Sequence, residues 1–141
     1  MKFLVDANVI VYSVAGGRLQ DPCLDLLEAV AASDVEGYCT VTIAEEVWHL
    51  ELSGRIHGLE GQTDRVRTLF FPLLAVTHTA LDHALAIAAG PDSIGSNDRL
   101  HVGSCLEHGI GVIVSADRGF DQVEGIERID PLEPDLIERL A

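Results

Sequence analysis

Apolar residues in this chain fall into short blocks that switch between consecutive runs and helical spacing. Phe3, Leu4 and Val5 follow one another directly, the pattern of a strand buried on both faces. Asp6-Ala7-Asn8 then opens a short helix carrying Val9, Ile10 and Val14, which Gly16-Gly17 breaks. Asp21-Pro22 reads as a second helix start, an N-cap followed by proline at the first helical position. That helix is expected to run to about Ser33 and to bury Leu24, Leu27, Val30 and Ala31. Residues 37–41 predict a strand, and Thr42-x-x-Glu45 matches a capping box at the start of the next helix. There Ile43, Val47 and Leu50 share one face, Glu46 lies on its flank, and Glu45 points nearly opposite.

The second half repeats the alternation. Residues 54–61 read as a loop, 62–70 as a helix and 73–76 as a strand. Thr79 is expected to cap a helix with an apolar stripe of Leu81, Ala84, Leu85 and Ala88, ending at Gly90. After a Gly/Pro/Ser loop over 90–96, Ser96 is expected to cap a helix with Asp98 in its first turn and Gly109 at its end. A strand over 111–115, a loop over 116–125, a strand over 126–129 and a polar helix after Pro131 complete the chain. Strands alternating with helices predict one α/β domain over residues 1–141, with a mostly parallel sheet of four to five strands covered by helices on both faces. In such sheets the functional crevice lies beyond the carboxyl ends of the strands. Asp6 and Asp117 both fall at such ends.

Composition narrows the class further. At 141 residues the chain can bury a sizeable core, and 48% hydrophobic with 23% charged residues is an ordinary globular mixture. No apolar run approaches the roughly 20 residues of a membrane span, and the first strand begins too early for a signal peptide, so a cytoplasmic protein is expected. Cys23, Cys39 and Cys105 are widely spaced, which points to buried small hydrophobes rather than disulfides or a thiolate site. The net charge of −14, with Lys2 the only lysine, argues against a nucleic-acid binder unless metal ions and a few arginines handle the phosphates.

Four carboxylates, Asp6, Glu46, Asp98 and Asp117, each stand at the edge of an apolar element rather than in a charged run. Gathered by folding, they would repel one another unless a cation neutralised them. Taken singly, each has a plain structural alternative. Asp6 and Asp98 suit helix starts, Glu46 suits a solvated flank, and Asp117 suits a turn.

The set resembles a known family. Asp6-Ala7-Asn8-Val9-Ile10 follows the first strand, and Glu46-Val47-Trp48-His49-Leu50 lies on a helix. Asp98-Arg99-Leu100-His101-Val102 opens another helix, and Ser115-Ala116-Asp117-Arg118-Gly119-Phe120 follows a late strand. Their order, spacing and element types are similar to the PIN-domain ribonuclease pattern over essentially the whole chain, and the length suits the small VapC-type toxins of that family. The resemblance implies that Asp6, Glu46, Asp98 and Asp117 hold one or two Mg²⁺ or Mn²⁺ ions, hard cations that prefer oxygen ligands. Those ions would activate water and stabilise the leaving oxygen in hydrolysis of an RNA phosphodiester. Asn8 and Ser115 would orient the carboxylates. The family also implies a homodimer and an antitoxin that covers the site, with an arginine inserted among the acids.

Two departures stand out. Where members often carry a further acid, this chain has Gly119, and Asp121 is the candidate to replace it in part. Basic residues are scarce, leaving Arg99 and Arg118 as the best-placed RNA contacts. Glu46-x-x-His49 and Asp98-x-x-His101 have the spacing of di-iron bundles, but the strands argue against that architecture and make both histidines polar flank residues. The chain holds no H-E-x-x-H, G-x-S-x-G or P-loop motif. An aspartyl phosphatase would need an acid where Asn8 stands. A phospho-acceptor receiver-like module would need a late-strand lysine. A non-catalytic module that binds a basic partner through its acids is the remaining alternative.

Overall fold

In a computed structural model the chain is described at residues 1–88, 90 and 92–141. Four short strands, β1 (Lys2–Val5), β2 (Glu36–Tyr38), β3 (Val112–Val114) and β4 (Glu127–Ile129), form one sheet in the order β2-β1-β3-β4. All three pairings are parallel, with Leu4 opposite Tyr38 on one side and Ile113 on the other. Phe3, Leu4 and Val5 are all fully buried, although successive strand side chains point to opposite faces. Both faces of the sheet are therefore covered. Burying side chains of this kind contributes about 1.5–3 kcal/mol each.

Around the sheet lie α1 (Ala7–Ala15), α2 (Gln20–Ala31), α3 (Val41–Ser53), α4 (Gln62–Leu69), α5 (His78–Leu85), α6 (Ser96–His108) and α7 (Leu136–Leu140). A 3-10 helix over Arg118–Gln122 follows β3. No helix among the described residues is long and apolar enough to cross a membrane. The chain leaves β1 for β2 on one side, then returns to β3 on the other. This reversal places a switch point beyond the carboxyl ends of β1 and β3, where α/β sheets bind their ligands.

Helix α6 is packed nearly all round, since His101, Val102, Gly103, Ser104 and Cys105 are buried in succession. It lies so close to α5 that a Cβ on Gly103 would come within 2.1 Å of the Ala80 carbonyl oxygen. The three cysteines are buried thiols, and burial pushes Cys23 and Cys105 up to about 12.

Several local expectations shift. Thr40, not Thr42, caps α3, its hydroxyl accepting from the Ile43 amide at 3.1 Å, so Glu45 has no capping-box role. Residues 73–76 do not form a strand. They make a single bridge, with the Leu74 amide donating to the Cys39 carbonyl at 2.9 Å. Thr77, not Thr79, caps α5, and Gly95 rather than Ser96 precedes α6. On α5 the packed residues are Ala80 and Ala84, whereas Leu81 and Leu85 are exposed because the close approach to α6 admits only small side chains. Helix α5 ends at Leu85 with Ala86 as its C-cap, short of the expected end at Gly90; residues 89 and 91, within the expected helix end and the loop over 90–96, lie outside the described residues. On α2 the inward face is Cys23, Leu26 and Ala29, rotated from the expected stripe, and Ala31 is exposed.

Candidate metal centre

The switch point is built first from residues that flank strands. Asp6 ends β1 and caps α1, so its position is fixed at both ends: its amide donates to the Val114 carbonyl at 3.1 Å, and its Oδ1 accepts from the Ala7 amide at 2.8 Å. Its Oδ2 accepts from Asn8 Nδ2 at 2.8 Å and from the Ser115 hydroxyl at 2.6 Å. Asn8 spans the gap between the two strand ends, donating to Ser115 Oγ at 2.9 Å and accepting from the Ala116 amide at 3.2 Å. The Ser115 hydroxyl also receives the Asp117 amide at 3.0 Å. Asp117 in turn accepts from the Gly119 amide at 2.8 Å and opens the 3-10 helix. Asn8 and Ser115 thus tie the Asp6 carboxylate to the backbone that carries Asp117.

The other side of the site comes from helices. Glu46, in the second turn of α3, turns toward α6 and lies with Oε1 3.1 Å from His101 Nε2. His101 is fully buried, contrary to its expected place on a polar flank, because α6 is enclosed along residues 101–105. The His101 Nδ1 atom has no hydrogen-bond partner among the described residues. Ligand atoms of Asp6, Glu46 and His101 all lie within 4.8 Å of one another. Asp98 sits in the first turn of α6.

The carboxylates feel one another. Burial, reinforced by Asp6, Asp117 and Glu46 and opposed by His101, pushes the Asp98 carboxyl up to about 6. Burial also raises Asp6, against the Ser115 hydroxyl, the His101 charge and the Ala7 amide, with Glu46 adding to the rise. For His101, burial disfavours the imidazolium, but the Glu46 bond and the charges of Glu46, Asp6 and Asp98 outweigh it and raise the pKa. Concentrated negative charge in a half-buried site is stabilised by a divalent cation. The donor set of carboxylates with one imidazole fits such an ion.

Other candidates are placed elsewhere. Asp121 is bound by Arg128, whose Nε donates to Oδ1 at 2.6 Å, and this pairing holds its carboxyl below the usual range. Arg128 also donates to the Ser115 carbonyl at 2.8 Å and to Asp130 at 3.1 Å, so it braces the segment after β3. A Cβ at Gly119 would come within 2.7 Å of the Ser93 carbonyl and 2.9 Å of Ile94 Cγ2, so this position has no room for a further acid. Arg99 is turned to backbone, donating to the carbonyls of Ile94 at 3.1 Å and Gly90 at 2.9 Å, while Arg118 is exposed beyond Asp117. Lys2 lies over the Tyr38 ring, 5.9 Å from its centre, at the start of β1 and so at the far end of that strand from Asp6. A cleft of about 410 Å³ opens beside Glu46, lined by Ala7, Glu45, His49, Leu50 and Asn97.

A switch-point cluster of this kind, on this sheet order, defines a class. The PIN domain family model matches residues 3–126, and the chain belongs to that family. It is similar to VapC ribonuclease Mb1869c of Mycobacterium bovis and to Ribonuclease VapC13 of Mycobacterium tuberculosis, each 26% identical over 130 residues that span 89% of this chain and 98% of the relative. Its fold is similar to VapBC2 from Rickettsia felis, solved bound to a DNA fragment from the promoter, with a TM-score of 0.68 at 13% identity over 92% of this chain and 98% of that one. PAE2754 from Pyrobaculum aerophilum matches with a TM-score of 0.59 at 20% identity, covering 99% of this chain and 98% of that one.

Proposed function

We propose that this chain is a metal-dependent endoribonuclease of VapC type that hydrolyses RNA phosphodiester bonds as the toxin of a toxin–antitoxin pair. The observation that carries the proposal is the PIN fold with an acidic cluster at its switch point; it is supported by Asp6, Asp117 and Glu46, which add to burial in raising the Asp98 carboxyl. The VapC ribonucleases among its relatives support the choice of RNA.

In this reading Asp6, Glu46, Asp98 and Asp117 hold Mg²⁺ or Mn²⁺. When bound, the ion supplies activation of water and charge for the leaving oxygen. The chain's own residues do the positioning. Asn8 and Ser115 keep Asp6 from rotating, and the Ser115 hydroxyl fixes the Asp117 backbone. The acidic surface repels RNA at long range, and Arg118 at the rim is placed to meet a phosphate. His49 and Asn97 offer polar groups to a nucleotide in the cleft beside Glu46. The reading also carries an antitoxin that covers the carboxylates, a homodimer, and a cytoplasmic place of action.

The test is cleavage of single-stranded RNA in Mg²⁺ or Mn²⁺, with Asp6→Asn and Asp98→Asn as controls. Cleavage by the wild type and its loss in both variants is expected. Activity undiminished in both variants would sink the assignment.

A further inference from the structure

His101 is the one buried side chain of the site that neither the sequence pattern nor the proposed four-carboxylate centre explains. It is fully buried on α6, between Val102, also fully buried, and Leu100. An aliphatic side chain would suit such a position, and a buried imidazole has to justify its desolvation. One ring nitrogen lies 3.1 Å from Glu46 Oε1, and the other has no partner among the described residues. The nitrogen that faces the acids is Nε2, and it is this atom that is placed to join the carboxylates around an ion.

We propose that His101 is itself a metal ligand, forming with Asp6 and Glu46 a mixed nitrogen–oxygen site that takes a first-row transition ion such as Mn²⁺ in preference to Mg²⁺. The inference rests on the metal-centre reading above and adds the identity of the ion class to it. Three observations on the geometry carry it. One ligand atom from each of the three residues lies within 4.8 Å of the other two, a spread that a single ion can bridge after small side-chain movements. The residues come from three separate elements, the end of β1, α3 and α6, so the cluster is made by tertiary packing and not by chain proximity. Two of the three are almost wholly enclosed, with Asp6 4% and His101 0% exposed, so an ion held by them would be shielded from bulk solvent.

The chemistry sets the preference. Mg²⁺ demands near-octahedral oxygen ligation and gives up its waters reluctantly. Imidazole nitrogen is a better donor to first-row transition ions. A ligand set in which His101 takes one position is therefore less suited to Mg²⁺ than to Mn²⁺. Position 119, closed by the Ser93 carbonyl and Ile94, adds no further oxygen ligand.

The experiment needs no RNA. Chelator-stripped protein is titrated with Mn²⁺ and Mg²⁺ by calorimetry, and the Mn²⁺ complex is examined by pulsed electron paramagnetic resonance for ¹⁴N coupling. The expected result is a directly coordinated nitrogen in the wild type, its loss in His101→Gln, and a Mn²⁺-over-Mg²⁺ affinity ratio at least about tenfold lower in that variant. His49→Gln, on the neighbouring cleft, is expected to keep the signal. Mn²⁺ bound with no nitrogen coupling in the wild type would overturn the inference while leaving the nuclease reading intact, and so would loss of the signal in His49→Gln instead. No binding of either ion removes both readings. Should His101→Gln fail to fold by circular dichroism, the wild-type spectrum and the His49→Gln control still decide.

Discussion

The two sides of the centre are held in different ways. Asp6 and Asp117 follow strand ends and are tied through Asn8 and Ser115 by a closed set of hydrogen bonds. Glu46, Asp98 and His101 project from helices whose relative placement depends on packing, and their mutual terms are dominated by burial and charge. The first side is pre-organised by local backbone geometry. The second concentrates negative charge that a bound cation would neutralise. In the proposed metal centre the first side would supply position and the second affinity.

The largest expected effect comes from removing a charge on either side. Asp6→Asn and Asp98→Asn should each reduce RNA cleavage by at least about 100-fold, measured with a fluorescent single-stranded substrate. Ser115→Ala should then distinguish the sides. It removes the hydroxyl that serves Asp6, Asn8 and Asp117, and a loss of about 10–100-fold in metal affinity is expected by calorimetry. An unchanged affinity would mean that the strand-end network does not orient the ligands. Gly103→Ala probes the helical side through its support. Its Cβ would meet the Ala80 carbonyl at 2.1 Å, so overpacking should cost about 1–3 kcal/mol in urea unfolding.

A smaller effect concerns pH. The Asp98 carboxyl rises from 3.8 to about 6 on folding, so between those values the folded chain binds more protons than the unfolded one. His101 is raised as well, and its contribution is likewise lost as pH rises through its folded value. Both signs agree: metal-free protein should be more stable near pH 5 than near pH 7 in thermal melts. Asp98→Asn should shrink that difference, and a divalent ion should offset it at pH 7. The smallest effect is expected from Asp121→Asn, which loses an exposed pairing with Arg128 and should change metal affinity by less than about twofold. A larger drop would return Asp121 to the ligand set.

What could be read in advance follows the same division. The strand-end acids were legible because a strand's end and the acid after it are adjacent in sequence. Asp6 and Asp117 needed only the apolar runs before them and the rule that parallel sheets work at their carboxyl ends. The capping box expected from Thr42 and Glu45 does not form, because β2 ends at Tyr38 and Thr40 caps α3 first. Glu46 is singled out instead by the side chain it meets across α6. The apolar stripe on α5 was misread for a related reason. Leu81 and Leu85 are kept out by a helix contact so close that only Ala80 and Ala84 fit.

By itself the sequence determined the alternation of strands and helices, the parallel sheet, the burial of the cysteines and the strand-end acids, because each depends on residues near one another in the chain. Only the tertiary structure decided that His101 is enclosed, that Asp121 belongs to Arg128, and that Gly119 is closed off by Ser93 and Ile94. Periodicity reports which residues share a helix face. It carries no information on how many neighbours that helix has, and α6 has neighbours on nearly every side.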